Sequence, residues 1–369
     1  MDIKKHFFKK FVFPKILVLD KPGLIISRNF NNLNKEAHNM RIVYSFEDFY
    51  VNLYFDTLKK LGEEKTNELW YKMGKDLGIR YFLFNGLVDF PFFKINLALK
   101  YFQGMFTMIG MGFCKNLNYD IKKGNYVFWG NNNIISRKTQ NLSYIEGIMA
   151  GVISFITNEN FEARGFYDEF LDEGKIIVNK NFPKKYVPDL EFLKVNPKYR
   201  INFPPENKIH STLYSFSDLL KFKIIQVDEE KKFYFRKHSL LPTEISLVEI
   251  ISKNYFDGGE GELFRKSTIN FVSELCKEVF KGLEDKNKKM KFFRNIISAL
   301  GFGEIYFRRK EKNIVVDFLN PIFTEFGLYF LKSFINGFVN YFYEGNYSFD
   351  FDKIYSLGNK EYFVYEKIS

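Results

Sequence analysis

Residues 110–131 read GMGFCKNLNYDIKKGNYVFWGN and contain a pair of glycines followed by two strand-like segments and an asparagine. Gly110 and Gly112 end an apolar run of helical character, and the alternating pattern that follows predicts a β-hairpin. Residues 301–320, GFGEIYFRRKEKNIVVDFLN, repeat this order, with Gly301 at a spacing of 191 residues from its counterpart. The same succession of elements in both halves of the chain indicates an internal repeat.

The repeat extends to both sides of these segments. A helix pattern with small residues on one face follows the first hairpin at 144–151, and a similar pattern follows the second hairpin at 329–337, where Gly337 corresponds to Gly151 at a spacing of 186. Near the start of each half, residues 15–28 match residues 223–236 at a constant spacing of 208. Because the matching segments come in the same order and the spacing changes between them, we predict a tandem duplication with insertions and deletions in loops.

Periodic apolar residues predict helices between the first hairpin and the glycine pair of each half, at 46–61, 64–84, 92–109, 247–254, 262–280 and 288–300. Each half is then a hairpin, a set of helices, a second hairpin, a helix and a final two-strand segment. Such runs of helices and antiparallel strands predict an α+β fold with helices packed on an antiparallel sheet. Two such units on one chain are expected to be related by a pseudo-twofold axis.

The length of 369 residues is typical of two domains. Residues 181–209 contain five of the ten prolines, which is typical of an extended connection between compact units. We therefore predict a first domain at 1–180, a linker at 181–209 and a second domain at 210–369. The expected assembly is either a monomer with an internal pseudo-dimer or a homodimer.

The composition predicts a globular, cytoplasmic protein. Apolar surface is abundant, with 46 Phe and 23 Tyr. The two cysteines, Cys114 and Cys276, lie in apolar stretches of different halves, which favours a reducing compartment over a disulfide framework. Lysines interrupt every apolar run near the N-terminus, so no signal peptide is expected, and no apolar run has the length of a membrane span.

The glycine pairs and small-residue helices resemble the 4-vinyl reductase domain family and, through it, a wider group that includes haem-based nitric-oxide sensor domains and small subunits of TRAPP vesicle-tethering complexes. The features that carry the resemblance are Gly110, Gly112, Asn131, Tyr144, Gly147 and Gly151 in the first half, and Gly301, Gly303, Asn320, Tyr329 and Gly337 in the second. The resemblance implies two tandem copies of a domain in which helices and sheet enclose an apolar pocket.

One feature of that family is missing from both halves. The resemblance implies a cysteine-containing segment near the end of each unit, whose thiolates suit a tetrahedral zinc site. The corresponding positions hold other residues, namely Gly165, Asp168, Asp172 and Ile176 in the first half and Phe351, Ile354, Gly358 and Tyr362 in the second. No metal or other cofactor is therefore expected.

Residues that commonly carry enzyme chemistry are scattered along the chain. No acidic or thiol partner stands at metal-ligand spacing, on one element, from any of the four histidines, His6, His38, His210 and His238. Glu162 and Arg164 alternate on a strand pattern, so both could point into a pocket or out to water, and solvent is favoured. No complete catalytic centre is recognised, so a non-catalytic role is favoured.

The leading interpretation is a small-molecule-binding or regulatory protein with an apolar, aromatic-lined pocket in one or both halves. Its expected partner is an apolar or aromatic small molecule. The predicted ligand-binding residues are aromatic side chains, an asparagine and closely approaching glycines, namely Phe102, Phe106, Trp129, Asn131, Tyr144, Gly147, Gly151, Phe155, Phe330 and Phe334. Aromatic rings at helical spacing also fit an ordinary core.

Two other functions remain open. The resemblance to tethering subunits implies an interaction scaffold that binds protein partners. The formal net charge of +11 and a local concentration of basic residues indicate a nucleic-acid-binding regulator. Its predicted nucleic-acid-binding residues are Lys286, Lys288, Lys289, Lys291, Arg294, Arg308 and Arg309. A solvated, charged helix face explains the same residues without a partner.

Overall fold

The structure is a computed structural model that describes residues 17–27, 40–84, 99, 102, 112–120, 123–131, 135–168, 173–194, 213–228, 232–319, 326–349, 355–357 and 360–367. The helices within these residues are α1 (Glu47–Leu61), α2 (Glu63–Phe84), α3 (Ser136–Thr139), α4 (Ser143–Thr157), α5 (Leu190–Leu193), α6 (Phe216–Lys221), α7 (Ile245–Asp257), α8 (Gly261–Val279), α9 (Lys286–Ala299) and α10 (Gly327–Tyr343). The strands are β1 (Leu17–Lys21), β2 (Leu24–Ser27), β3 (Met40–Phe46), β4 (Phe113–Asp120), β5 (Asn125–Asn131), β6 (Glu162–Asp168), β7 (Glu173–Asn179), β8 (Ile225–Val227), β9 (Phe233–Phe235), β10 (His238–Glu244), β11 (Glu304–Lys310), β12 (Asn313–Leu319), β13 (Tyr347–Phe349), β14 (Tyr355–Leu357) and β15 (Lys360–Lys367).

The predicted helices are confirmed wherever the structure describes them. The five helices α1, α2, α7, α8 and α9 begin and end within three residues of the predicted bounds. The predicted helix at 92–109 lies outside the described residues, apart from Leu99 and Phe102. No helix in the described parts of the chain combines the length and apolar character that a bilayer span requires.

The fold is α+β, as predicted, and the strands of the described residues form three antiparallel sheets. The central sheet has six strands in the order β1-β2-β3-β10-β9-β8, so that each half of the chain contributes three neighbouring strands. The two halves join where β3 pairs with β10, and this pairing is centred on Tyr44 opposite Pro242. The strands β3 and β10 lie outside the hairpins that the sequence patterns predict.

Each half also has a sheet of its own. The first has the order β4-β5-β7-β6, and the second has the order β11-β12-β15-β13, with β14 paired to β15. All neighbouring strands in both sheets are antiparallel. Apart from β14, these two sheets have the same strand order, and each lies next to a long helix, α4 in the first half and α10 in the second.

The two halves share one interior. Helix α1 packs on α8, and α7 packs on α2, so each half places a helix on the other. Phe49 of α1 and Phe264 of α8 meet edge to face with ring centroids 6.1 Å apart. Arg80 of α2 forms a buried ion pair with Glu249 of α7 at 2.6 Å. Buried apolar side chains from both halves belong to one continuous cluster.

The small residues of α4 allow it to lie directly on α2. A Cβ atom at Gly147 would overlap the carbonyl oxygen of Tyr71, and one at Gly151 would overlap that of Lys75. Because glycine has no side chain, the two backbones approach more closely than any other residue would permit. The small-residue helix of the sequence pattern is thus a helix-packing surface.

The described part of the proline-rich segment, residues 181–194, contacts α2. Lys75 Nζ donates a hydrogen bond of 2.9 Å to the carbonyl oxygen of Tyr186. The ring of Phe192 lies 5.1 Å from the guanidinium carbon of Arg80, within the range of a cation–π contact. A backbone carbonyl and an aromatic ring of the segment are thus bound by basic side chains of α2.

Candidate functional site

A small, partly open apolar cavity lies in the second half, between α8, α9 and the central sheet. Its volume is about 20 Å³, and its lining residues are Phe46, Phe235, Leu275, Cys276, Val279, Phe280, Phe292, Phe293, Ile296 and Ile297. Phe46 comes from β3 of the first half, whereas the other nine residues belong to the second half. The cavity therefore lies close to the junction at which the two halves share their sheet.

Apolar residues at the same spacing on α8 and α9 face the cavity. Helix α8 and the residue after it contribute positions 275, 276, 279 and 280, and α9 contributes positions 292, 293, 296 and 297. Residues at i, i+1, i+4 and i+5 lie on one face of an α-helix. Both helices thus turn one apolar face towards Phe46 and Phe235 of the sheet.

The cavity has room for a group about the size of one water molecule. A cavity that binds benzene has a volume of about 150 Å³, so an aromatic ligand has to displace a side chain or a helix here. Phe292 is the half-buried member of the lining, whereas the other lining residues are buried. Its ring lies 6.3 Å from that of Phe235 and 6.3 Å from that of Phe280, so its movement would open the cavity.

Cys276 contributes a free thiol to this cavity. Its side chain is 1% exposed, and burial raises the pKa of the thiol. Since the thiolate is the reactive form, slow alkylation of Cys276 is expected.

The predicted ligand-binding residues lie in several places. Phe330 and Phe334 are buried on α10, and Phe334 lies 6.4 Å from Phe293 of the cavity lining. Phe102 is buried, whereas Phe106 lies outside the described residues. At the spacing that relates Gly110 to Gly301, Phe102 and Phe106 correspond to the lining residues Phe293 and Ile297.

On α4, Tyr144 is buried beside Trp70 with ring centroids 5.7 Å apart, and its hydroxyl has no hydrogen-bond partner among the described residues. Gly147 and Gly151 face α2, as described above, and Phe155 is half-buried against the core. These four residues therefore contribute to packing in the first half and do not line the cavity.

The remaining two predicted residues, Trp129 and Asn131, lie on β5. Alternate residues of this strand are buried, and both of these belong to the half-buried set. Lys175 Nζ lies 5.0 Å from the centroid of the Trp129 ring on this face. Because alternate side chains point to opposite faces of a sheet, neither residue shares a pocket with buried Tyr126 and Phe128.

The first half contains a buried ion pair that sequence reasoning missed. Lys75 and Glu162 meet at 2.8 Å with side-chain exposures of 0% and 1%, so the expectation that Glu162 faces solvent was wrong. Tyr71 donates to the other carboxylate oxygen at 2.6 Å, and Lys75 also donates to Asn160 and to the carbonyl of Tyr186. Lys75 thereby has partners for all three donors, which is typical of a structural ion pair.

His238 also has partners that no sequence spacing indicated. Its Nδ1 lies 2.7 Å from Asp48, and its Nε2 lies 3.3 Å from Glu278. These residues come from β10, α1 and α8, so the tertiary fold brings them together. Throughout the described ranges, no group of three or more His, Cys, Asp or Glu residues is arranged to hold a metal ion.

The predicted nucleic-acid-binding residues divide into two sets. The arginines have partners within the protein: Arg294 donates to the carbonyl of Ile305 at 2.7 Å, Arg308 pairs with Asp317 at 2.6 Å, and Arg309 donates to the carbonyl of Glu311 at 3.3 Å. The lysines lie on the first turns of α9, where Lys289 is half-buried and the other three are exposed, namely Lys286, Lys288 and Lys291.

Comparison with known proteins leaves the family open. No family model matches the chain, and no curated protein matches it. Among solved structures, the chain is similar to the crystal structure of the phenol-responsive sensory domain of the transcription activator PoxR with phenol. The identity is 14% and the TM-score is 0.30, over 42% of this chain and 90% of the PoxR domain.

Proposed function

We propose that the protein is a non-catalytic regulator that binds an apolar or aromatic small molecule in the cavity beneath α9. The observation that carries this proposal is the apolar lining, which is formed by aliphatic and aromatic side chains and one thiol. Such a lining favours an apolar ligand because it offers no charged or strongly polar partner. The half-buried ring of Phe292 is the proposed entrance.

We further propose that the two halves are duplicated copies, with the domains at 1–180 and 210–369. The pairing of β3 with β10 supports this, because Tyr44 and Pro242 at its centre are 198 residues apart. This spacing lies between the spacings of 208 and 191 that relate the matching sequence segments before and after these strands. Ser45 and Thr243 are also 198 residues apart, and their hydroxyl oxygens lie 3.3 Å from each other. Contacts between equivalent residues are expected on a twofold axis. The resemblance to the 4-vinyl reductase domain family is part of this proposal.

The duplication would give the first half a cavity of its own, with Phe102 and Phe106 in the places of Phe293 and Ile297. We propose Phe102, Phe106, Tyr144 and Phe155 as contacts of that second site. A free, buried thiol at Cys276 suits a reducing compartment, so we place the protein in the cytoplasm as part of the same proposal.

The test is thermal unfolding with benzene, toluene, naphthalene and indole as probes, followed by native mass spectrometry of gently purified protein. A probe at ten times its Kd stabilises the folded state by about 1.4 kcal/mol, which for a chain of this size raises Tm by about 2 °C. Ile297→Phe fills the cavity and is expected to abolish the shift. Ile314→Phe, a change of the same size at a buried position on β12, is the control and is expected to keep it.

The two outcomes are distinct. A shift in the native protein and in Ile314→Phe, but not in Ile297→Phe, supports the cavity as the binding site. If no probe raises Tm and no small molecule is released from the purified protein, the proposal is refuted.

A further inference from the structure

Helix α9 has two faces with different chemistry. Its inner face supplies Phe293, Ile296 and Ile297 to the cavity, and all three are buried. The outer face of its first turns carries lysines, and residues 281–294 contain six basic and two acidic residues. The same helix therefore lines the cavity with its inner face and carries a basic surface on its outer face.

The basic surface continues beyond the helix. Lys286 Nζ lies 4.7 Å from the ring centroid of Tyr343, and Lys289 Nζ lies 6.0 Å from that of Tyr341, so α9 places its charges over α10. Burial raises the pKa of Tyr343, and the positive charge of Arg309 acts against this effect. Arg309 is exposed on β11, the strand to which Arg294 of α9 donates a hydrogen bond. We call this set, Lys286, Lys288, Lys289, Lys291 and Arg309, the lysine surface.

We propose that the lysine surface binds the phosphate backbone of a nucleic acid, and that α9 couples this binding negatively to ligand in the cavity. The second part rests on the proposed function, whereas the first part does not. Clustered lysines neutralise phosphates and release counterions, which provides affinity without a requirement for base sequence. The formal net charge of +11 favours the approach of a polyanion.

The arrangement of α9 favours nucleic acid over an anionic membrane. A helix that lies on a bilayer turns its apolar face outward into the lipid. The apolar face of α9 is instead buried in the core, and the exposed apolar neighbour in the preceding turn is Leu283, at 37% exposure. One leucine provides little apolar surface for insertion, whereas a row of lysines is sufficient for phosphate contacts.

The sign of the coupling follows from the size of the cavity. At about 20 Å³ it is smaller than any aromatic ligand, so a ligand has to push Phe292 or α9 outward. Arg294 ties α9 to β11 through the carbonyl of Ile305, so the lysine surface is assembled when the helix is in its closed position. A nucleic acid that spans α9 and Arg309 favours the closed state. By linkage, ligand and nucleic acid each weaken the binding of the other by the same factor.

The first experiment measures binding of a fluorescein-labelled 20-base-pair duplex by fluorescence anisotropy over a range of salt concentrations. The triple variant Lys286→Glu, Lys288→Glu, Lys291→Glu is expected to lose at least tenfold in affinity. Its log–log salt slope is expected to fall by at least about 2.7, because each phosphate contact contributes about 0.9. The control, Lys59→Glu, Lys65→Glu, Lys221→Glu, has the same charge change at exposed positions and is expected to bind more tightly than the triple variant, with an unchanged slope.

Equal losses of duplex affinity in both triple variants would overturn a specific lysine surface, as would an absence of duplex binding by the native protein. Binding to phosphatidylserine vesicles in place of the duplex would assign the surface to membranes and overturn the nucleic-acid proposal. Neither result bears on the cavity, because the probe-induced Tm shift is measured without nucleic acid.

The second experiment measures the coupling through Cys276. Alkylation by N-ethylmaleimide is followed by peptide mass spectrometry, which reads Cys276 separately from Cys114. Saturating duplex is expected to slow the alkylation of Cys276 several-fold, because it holds α9 closed. An unchanged or faster rate with duplex bound would refute the coupling and leave the lysine surface in place.

Discussion

Removal of the ammonium group of Lys75 is expected to destabilise the first half more than any surface substitution would. Lys75 and Glu162 are 0% and 1% exposed and meet at 2.8 Å, so Lys75→Met leaves a buried carboxylate without its ionic partner. Breaking a buried pair from one side costs about 3–5 kcal/mol. The loss includes the hydrogen bonds from Lys75 to Asn160 and to the carbonyl of Tyr186.

The double variant Lys75→Met, Glu162→Gln separates the charge effect from lost packing. It removes both charges, so the remaining penalty is that of polar groups left without partners, about 1–3 kcal/mol. The double variant is therefore expected to be about 2 kcal/mol more stable than Lys75→Met. Urea unfolding followed by tryptophan fluorescence is the assay, because Trp70 is fully buried on the same helix as Lys75.

The pH dependence gives an independent check on the same pair. Burial acts to raise the pKa of Glu162, but the hydrogen bonds from Lys75 and Tyr71 lower it overall from 4.5. Its stabilisation is therefore present above pH 4.5 and is lost as the pH falls through the lower folded value. In Lys75→Met the unpaired carboxylate of Glu162 takes up a proton as the pH falls. The loss in free energy of unfolding that the substitution causes is therefore expected to shrink between pH 7 and pH 4. A cost below 1 kcal/mol at pH 7, or one that grows as the pH falls, would refute this reasoning.

Two further substitutions test other parts of the fold. Gly151→Val places a side chain against the carbonyl of Lys75 on α2, so we expect a loss of about 1–3 kcal/mol, and an unchanged urea midpoint would contradict the close approach of the helices. Burial acts to raise the pKa of Asp48, but hydrogen bonds from His238 and Lys138 outweigh it and lower the pKa from 3.8 to about 2. The stabilisation by Asp48 is thus present above pH 3.8 and lost as the pH falls through about 2, so Asp48→Asn is expected to unfold at lower urea than the native protein at pH 6 and to match it near pH 2.

The helices could be predicted because their signal is local. Apolar residues at i, i+1, i+4 and i+5 mark the inner faces of α8 and α9, and the same spacing identifies the residues that line the cavity. The cavity itself could not be predicted, because it depends on how α8 and α9 meet Phe46 and Phe235 of the central sheet. An aromatic stripe gives the same pattern whether it closes a core or surrounds a void.

The central strands and the buried ion pair show the limit of local patterns. The strands β3 and β10 pair with each other across 198 residues of chain, and no turn signal joins them. Glu162 has the period-2 pattern of a solvent-facing residue, but β6 is an edge strand and Lys75 reaches its carboxylate from α2. Whether a charge at a sheet edge is buried depends on the helix that packs beside it, and the sequence of the strand alone does not indicate which helix this is.

The proposed twofold axis also bears on why the two halves differ. Thr57 and Tyr255 are 198 residues apart, and their hydroxyl oxygens lie 2.5 Å from each other in the core. In a homodimer both places would hold the same residue, and two tyrosines would need the same space, whereas two threonines would leave a gap. A fused chain is free of this restriction, since each place can hold a different side chain. The same freedom applies to the proposed ligand sites, so the two halves can differ in the side chains that line them.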